Sequence, residues 1–298
     1  MASTVPTGKT KAPSKAAAVA RSTRVAKPKA ASEASTALRL PFEHIIWRDS
    51  HYVAPTGILR SALFAATAKG ARRVLKDEQV ANLDGFELRF TGETFDMHDE
   101  DVWMLMLRNA RDHGMGPKVH FTLRSMLRDL SWDVCGKSAE RLRASFNRLV
   151  SSTVRIRRGK VEFTGHLVDE VVANTLNEEY FSYRLSPSMA KLFGPEQHTY
   201  LDREHRKQIK GTLTKWLHGF IESNPGGFPV TVDSIWSLSG STASQRYIFV
   251  RTLRSALAEL QAIGVVERWR IEHNEIFISI AQNALRMKMV QQVALTAR

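Results

Sequence analysis

The sequence predicts an α+β protein in which one order of short helix, turn, long helix and β-hairpin occurs twice behind a basic tail. Three observations carry that expectation. Residues 121–165 read as helix, polar turn, basic helix and hairpin; residues 231–280 repeat the order; residues 1–36 hold almost no large apolar side chain. A basic helix handed directly to a basic hairpin is the sequence form of a winged helix-turn-helix. The predicted fold is therefore two tandem winged-helix domains with a disordered basic N-terminal tail. The expected bounds are 1–36 for the tail, 37–58 for a linker, 59–196 and 197–281 for the two domains, and 282–298 for a C-terminal tail or helix.

Bulk properties agree with two packed domains. The 298 residues exceed one typical domain, and 43% hydrophobic residues support real cores. A formal net charge of +13 attracts polyanions. Nucleic acid and anionic membrane both qualify. No run of ~18 apolar residues is present, nor a signal-peptide pattern. Cys135 is the single cysteine, which excludes an intramolecular disulfide framework and a Cys-based zinc site. Together these lead to the expectation of a cytoplasmic protein without a membrane anchor.

The N-terminal segment is rich in Ala, Ser, Thr and Pro, with Lys9, Lys11, Lys15, Arg21, Arg24, Lys27 and Lys29 against Glu33 alone. It has too little apolar surface to offset the entropy of ordering it. Two readings fit: a tethered arm that raises non-specific DNA affinity, or a solubilising tail.

In the first expected domain, Phe86 to Phe90 alternates like a strand. Asp96 caps a helix whose main body is Asp101 to Asp112, closed by Gly114 and Gly116. Thr122 to Leu130 is a short amphipathic helix, Ser131 to Gly136 a polar turn and Lys137 to Ser152 a second helix. Thr153 to Arg157, the turn Arg158-Gly159-Lys160 and Val161 to Thr164 form the hairpin expected to be the wing. Tyr180 to Leu185 alternates again, and Ser186-Pro187 opens a short helix ended by Gly194. At about 100° per residue, Ala139, Leu142, Phe146, Leu149 and Val150 share the core arc of the second helix. Lys137, Arg141 and Arg148 lie opposite, flanked by Ser145. These four residues are the expected DNA-facing set. Arg155, Arg157, Arg158 and Lys160 place four cations in six residues with no acid, whereas a solvated hairpin usually mixes signs. They are expected to grip phosphate.

In the second domain, Arg203 to Glu222 reads as one long amphipathic helix stopped by Asn224-Pro225-Gly226-Gly227. Phe228 to Val230 is a short strand, and Thr231-Val232-Asp233 opens a helix to Leu238. After the turn Ser239 to Thr242 comes a helix from Ala243 to Ile263, ended by Gly264. Val265 to Ile271 and Glu275 to Ile280 make a hairpin around His273-Asn274. Phe249, Leu253, Ala256, Leu257 and Leu260 share the apolar arc of the long helix, with Tyr247, Arg251 and Arg254 pointing away. Gln245 and Arg246 stand at its N-terminal end, where a recognition helix meets base edges. The second hairpin mixes Arg268 and Arg270 with Glu267, Glu272 and Glu275, so less phosphate contact is expected from it.

With these segments in this order, the chain resembles the TrfA family of plasmid replication initiators over about residues 42–280. The resemblance rests on Arg60-Ser61-Ala62-Leu63-Phe64, on Gly85-Phe86-Glu87-Leu88-Arg89-Phe90-Thr91-Gly92, and on Asp101-Val102-Trp103. It continues through Leu127-Arg128-Asp129-Leu130-Ser131-Trp132, Leu142-Arg143-Ala144-Ser145-Phe146-Asn147-Arg148-Leu149, Trp216-Leu217 and Gly264-Val265-Val266-Glu267. It implies tandem winged helices that bind directly repeated origin sites (iterons) in double-stranded DNA and open an adjacent AT-rich segment. It also implies recruitment of the host replicative helicase with help from the host initiator protein. In the family, a Gln-Leu-x-Leu-Phe segment before the first domain docks the polymerase sliding clamp. Here Leu38-Arg39-Leu40-Pro41-Phe42 stands in that place without the Gln, so Leu38, Leu40 and Phe42 are either clamp anchors or a plain apolar linker. Initiators of this architecture interconvert between monomer and dimer. Gln282 to Arg298, with Leu285, Met289, Val290 and Val293, is either such an interface or a frayed terminus.

No enzyme motif is complete. A nicking initiator needs a His-x-His metal pair beside a tyrosine nucleophile, and none of the ten histidines has that spacing. Gly8-Lys9-Thr10 and Gly136-Lys137-Ser138 end like P-loops, but Ser3 and Ser131 occupy the required first Gly positions. Neither catalytic residues, a metal nor a cofactor is expected. The acids of His98-Asp99-Glu100-Asp101 read as favourable charge at a helix N-terminus. Trp132, Trp216 and Trp236 read as core, and Cys135 as a small space-filler. Two other functions use the same surfaces: a transcriptional repressor with tandem winged helices, and a DNA-associated scaffold that docks helicase or clamp.

Overall fold

Side-chain oxygens of Asp and Thr start four of the helices in the computed structural model. The structure describes residues 45, 47–67, 72–83, 85–174, 180–193, 197–224 and 230–280. Strand β1 (His51–Pro55) runs into a helical turn, α1 (Thr56–Leu59), and then β2 (Phe64–Ala65), β3 (Val74–Gln79), β4 (Glu87–Glu93) and β5 (Phe95–Asp96). Helix α2 (Met97–Asn109) begins at Asp96, whose carboxylate accepts from the amides of His98 (2.9 Å) and Asp99 (3.1 Å). The Asp99 carboxylate accepts in turn from the Asp96 amide at 3.0 Å, closing a capping box.

Strand β6 (Val119–Thr122) leads into α3 (Leu123–Asp129), capped by Thr122, and α4 (Gly136–Ser151) follows a turn in which Ser131 adopts φ 57°. Next come β7 (Thr153–Arg158), β8 (Val161–Gly165), β9 (Glu170–Ala173), β10 (Tyr180–Arg184) and a 3-10 helix at Pro187–Leu192. The remainder is β11 (His198–Asp202), α5 (Arg203–Gln208), α6 (Thr212–Ser223), β12 (Val230–Thr231), α7 (Val232–Leu238), α8 (Arg246–Ala262), β13 (Val266–Glu272) and β14 (Glu275–Ile280). Asp202 caps α5 and Thr231 caps α7.

One topology occurs twice. In the first half, β6, α3 and α4 are followed by β9 and β10, and the antiparallel sheet has the order β6–β10–β9. In the second half, β12, α7 and α8 are followed by β13 and β14, with the order β12–β14–β13. In both, the last strand lies between the other two.

This identifies the first hairpin differently from the sequence. The hairpin Thr153 to Thr164, expected to be the wing, does form as β7–β8. It pairs with β4 (Leu88 opposite Ile156) in a separate sheet, β3–β4–β7–β8, and has no strand contact with β6. The strand beside β6 is β10. Phe121 of β6 stacks on Phe181 of β10 with centroids 5.5 Å apart, and meets Phe146 of α4 edge-on at 5.5 Å. Aromatic packing of this kind contributes beyond buried area, and the Val154 and Ile156 pair on β7 supplies no comparable ring.

Two other expectations change. The single long helix from Arg203 to Glu222 is two helices, because Ile209 turns to an extended backbone (ψ 126°) and buries its side chain. Residues 51–55, expected within a linker, form a strand buried at every position and paired antiparallel with β11. The described residues lie in one compact unit. Its halves are joined directly. Trp216 Nε1 donates to the Ser61 carbonyl at 3.0 Å, and the Ala66 amide to the Ser239 carbonyl at 2.7 Å. The expected tail 1–36, the segment Leu38, Leu40 and Phe42, and Gln282 to Arg298 lie outside the described residues.

Gly240 packs closely against the first half. It has φ +58°, and a Cβ there would stand 2.8 Å from the Ala65 Cβ. Gly114 has φ +74° with nothing within 4 Å of a Cβ. Urea unfolding of Gly114→Ala is expected to show only the left-handed penalty of about 1–2 kcal/mol. Gly240→Ala adds an overpacking cost of about 1–3 kcal/mol. Equal losses would show that the Ala65 contact is not tight.

Candidate nucleic-acid interface

The two long helices α4 and α8 follow tight turns and present polar N-terminal halves. On α4, Lys137, Glu140, Arg141 and Asn147 are exposed. The Arg141 guanidinium lies 5.6 Å from the centroid of the Trp132 ring, a cation–π contact that holds the side chain while leaving its charge uncompensated. Trp132 itself is half-buried, edge-on to His98 at 5.7 Å. Cys135 is the N-cap residue of α4 and is exposed, not a space-filler. Its Sγ lies 3.5 Å from Ser138 Oγ, and the hydrogen bond from Ser138, with the amides of Ser138 and Lys137, holds the thiol below its usual range.

Ser145 and Arg148, expected on the DNA-facing side, are turned inward. Ser145 is fully buried and Arg148 is 8% exposed. Arg148 grips Asp99 with two bonds, Nε to Oδ2 at 3.0 Å and Nη2 to Oδ1 at 2.8 Å. Both residues lie away from the apolar arc of α4, yet the N-terminal turn of α2 covers that second flank. A helix clamped on two sides has a narrower free face than its hydrophobic stripe predicts.

Two of the four cations of the β7–β8 hairpin also differ from expectation. Arg155 pairs with Asp77 at 3.6 Å, and Arg157 with Glu87 at 3.1 Å and Glu162 at 2.6 Å. Most of these acids arrive from strands far away in sequence, so the local excess of charge is neutralised within the sheet. Lys160 is exposed in the turn beside Gly159 at φ +57°. The side chain of Arg158 lies outside the described residues.

On α8, Gln245 is the N-cap and is exposed, and Tyr247 is 66% exposed. Arg246 is engaged internally: Nε donates to Asp233 Oδ1 at 3.0 Å and Nη2 to Asn274 Oδ1 at 2.6 Å. Asn274 Nδ2 donates to Asp233 Oδ2 at 2.9 Å, closing a triangle between α7, α8 and the β13–β14 turn. Arg246 therefore braces the helix start. Arg251 and Arg254 are exposed, and among the described residues neither has an ion pair. The same holds for Arg124 and Arg128 on α3, which sequence reasoning did not single out. Their exposed positions, four apart on a short basic helix, were available as a signal.

The run of acids at the start of α2 does more than complement a helix dipole. Asp99, Glu100 and Asp101 are buried. Arg72 reaches Asp96 at 2.5 Å and Asp99 at 2.9 Å. Arg206 donates through Nε to Asp101 (2.7 Å), through Nη2 to Glu100 (2.5 Å) and through Nη1 to the Lys215 carbonyl (2.6 Å). Lys215 Nζ bonds the second oxygen of Asp101. These partners lie 105, 106 and 114 residues from their acids, beyond any local pattern.

Burial pushes the Glu100 carboxyl up to about 7 despite Arg206 beside it. Burial also pushes Asp101 up, but Arg206 and Lys215 outweigh it and hold that carboxyl below 3.8. Among the described residues no group of three or more His, Cys, Asp or Glu is arranged to hold a metal, and no helix is long and apolar enough to cross a membrane.

Comparison with known proteins agrees with this architecture. The family model described as TrfA protein matches residues 9–278, and the chain belongs to that family. The plasmid replication initiator protein TrfA of Escherichia coli is 20% identical over 236 residues, 76% of this chain. The match spans 61% of that relative's length. Two crystal structures of RctB domains 2 and 3 share the fold, with TM-scores of 0.52 and 0.51 at 13% and 10% identity. They cover 75% and 76% of this chain and 97% of their own.

Two substitutions test the buried acids. Arg148→Met leaves part of Asp99 without its partner and is expected to cost about 3–5 kcal/mol in urea unfolding. Arg157→Ala, in an exposed pair, is expected to leave the midpoint nearly unchanged. Glu100 carries a pH signature. Its folded carboxyl titrates higher than the ordinary 4.5, so its favourable contribution is complete below that value and is lost as pH rises through about 7. Glu100→Gln, which mimics the protonated form, is expected to gain stability relative to the parent between about pH 5 and pH 8. A Tm difference that does not change with pH would exclude this.

Proposed function

We propose that this chain is a plasmid replication initiator that binds directly repeated origin sites in double-stranded DNA through two winged helices. The observation that carries the reading is the division of arginines. Arg148, Arg155, Arg157, Arg206 and Arg246 are matched to carboxylates, whereas Arg141, Arg251 and Arg254 on the free faces of α4 and α8 have no carboxylate partner among the described residues. Exposed guanidinium groups on a helix that follows a helix and a turn suit base edges and phosphates of the major groove. Family membership and the E. coli relative's name support initiation as the process served.

In this reading, α4 enters one groove with Lys137 and Arg141. Helix α8 enters another with Gln245, Tyr247, Arg251 and Arg254. Arg124 and Arg128 of α3 and Lys160 contact phosphate. β9–β10 and β13–β14 are the wings. The chain itself supplies no catalytic step. Origin opening, recruitment of the host helicase with the host initiator protein, and clamp docking through Leu38, Leu40 and Phe42 follow from the family reading.

Footprinting of the full chain on DNA flanking its gene tests the function. Protection is expected over repeats of about two helical turns, at ~10.5 bp per turn. A smear over all sequences favours a scaffold, and a single operator favours a repressor. Neutralising ~6–10 phosphates predicts a ~10³–10⁵-fold loss of affinity between about 50 and 200 mM salt. Arg251→Ala and Arg254→Ala are each expected to cost about 1–3 kcal/mol of binding if they read bases. Lys160→Ala is expected to weaken all sequences alike and flatten the salt slope by about one. Binding indifferent to Arg251 and Arg254 would remove α8 from the interface.

A further inference from the structure

We infer that the buried ion network at the start of α2 sets the spacing between the two DNA segments read by α4 and α8, an inference that rests on the function proposed above. Asp99, Glu100 and Asp101 are consecutive, and at about 100° per residue they fan over roughly 200° of the helix. Asp99 faces α4 and holds it through the two-pronged bond to Arg148. Glu100 and Asp101 face the other half, holding α5 through Arg206 and α6 through Lys215. Helix α8 is fastened to that same element. Glu259 accepts from the Lys210 amide at 2.7 Å and from Thr214 Oγ1 at 2.6 Å. A continuous series of directional contacts therefore runs from α4 through α2 and α6 to α8.

Burying these charges gives little net stability, because desolvation offsets their attraction. What a guanidinium fork adds over an apolar contact is direction. Arg206 makes three bonds at 2.5–2.7 Å to groups on two helices, so a slide of either helix breaks at least one. Apolar side chains of similar volume would allow that slide. On DNA the difference is measurable, because each base pair adds about 3.4 Å of rise and, at ~10.5 bp per turn, about 34° of twist. A rigid pair of reading helices rejects a site lengthened by one pair, whereas a loose pair accommodates it.

The test uses the full chain, a duplex site selected by it from a random-sequence library, and versions of that site with one or two base pairs inserted or deleted between its halves. The variant combines Glu100→Leu, Asp101→Leu, Arg206→Met and Lys215→Met, which removes the network without leaving a buried charge. The parent is expected to lose at least about tenfold in affinity per base pair of altered spacing, comparable to one lost base contact. The variant is expected to lose less than about threefold. Both should bind a duplex with one half scrambled equally well, within about twofold. Arg206→Lys keeps the charge but not the fork, and is expected to relax the spacing partially. It decides the matter if the four-site variant does not fold. A variant as strict as the parent, or one weakened equally on half-sites, overturns the inference.

A second measurement is independent of DNA. Spin labels at Glu140→Cys and Ser255→Cys, in a Cys135→Ser background, report the distance between α4 and α8. The distribution is expected to broaden when the network is removed, and an unchanged distribution overturns the inference. If the strut holds the distance but the library yields no selected site, the proposed function fails and the geometric role of the network stands.

Discussion

The start of α2 is the point on which the rest of the structure depends. Six residues from Asp96 to Asp101 include four carboxylates, and three of these are buried. Left alone they would repel one another and lose hydration, a penalty of several kcal/mol per buried ion. The chain answers with Arg72, Arg148, Arg206 and Lys215, each from a different segment. The requirement that every acid find its cation therefore constrains where α4, α5 and α6 can lie. It also accounts for the break at Ile209. A continuous helix from Arg203 would carry Arg206 and Lys215 along one straight axis, whereas the bend brings both onto Asp101.

That commitment of charge explains what remains available for a partner. A net charge of +13 suggests a surface uniformly rich in cations, but many arginines are consumed internally. The β3–β4–β7–β8 sheet is the clearest case. Arg89, Arg155 and Arg157 project from it and meet Asp77, Glu87 and Glu162. Such half-exposed pairs contribute little to stability, but they remove field from that sheet. Among the described residues, exposed cations without an ion pair then include Arg124 and Arg128 on α3, Lys137 and Arg141 on α4, and Arg251 and Arg254 on α8. Localised positive potential steers a polyanion better than the same charge spread evenly.

Features governed by neighbours in sequence were legible, and features governed by distant partners were not. The Asp96 cap, the Thr231 cap and the His273-Asn274 turn depend on groups within a few residues, and each lies where the local pattern placed it. The buried arcs of α4 and α8 followed from periodicity. Arg148 failed because periodicity describes one apolar face and carries no information about a second, ionic one. The sheet that the first hairpin joins was not legible for a related reason. Two consecutive hairpins follow α4, and the one that joins β6 is the one whose Phe181 and Tyr183 pack on Phe121. Within the candidate interface, Lys137, Arg141, Gln245, Tyr247, Arg251 and Arg254 are exposed as their positions implied, while Ser145, Arg148 and Arg246 serve the scaffold.

The inserted β7–β8 hairpin then has a structural explanation of its own. It leaves α4 immediately, pairs with β4 and brings Gly92 against the end of that helix. Gly92 has φ +138°, and a Cβ there would lie 3.1 Å from the Ser152 Cα, so β4 approaches the helix terminus more closely than any other residue allows. Helix α4 is thereby fixed at its C-terminal end by the sheet and along its flank by Asp99. Its N-terminal turn, with Lys137 and Arg141, is the part left free. Helix α8 reaches the same condition by another route: Glu259 ties its distal half to α6, and the Arg246–Asp233–Asn274 triangle braces its start. Two helices so anchored, whose exposed Arg141, Arg251 and Arg254 have no carboxylate partner among the described residues, are better explained by a shared external partner than by the needs of folding.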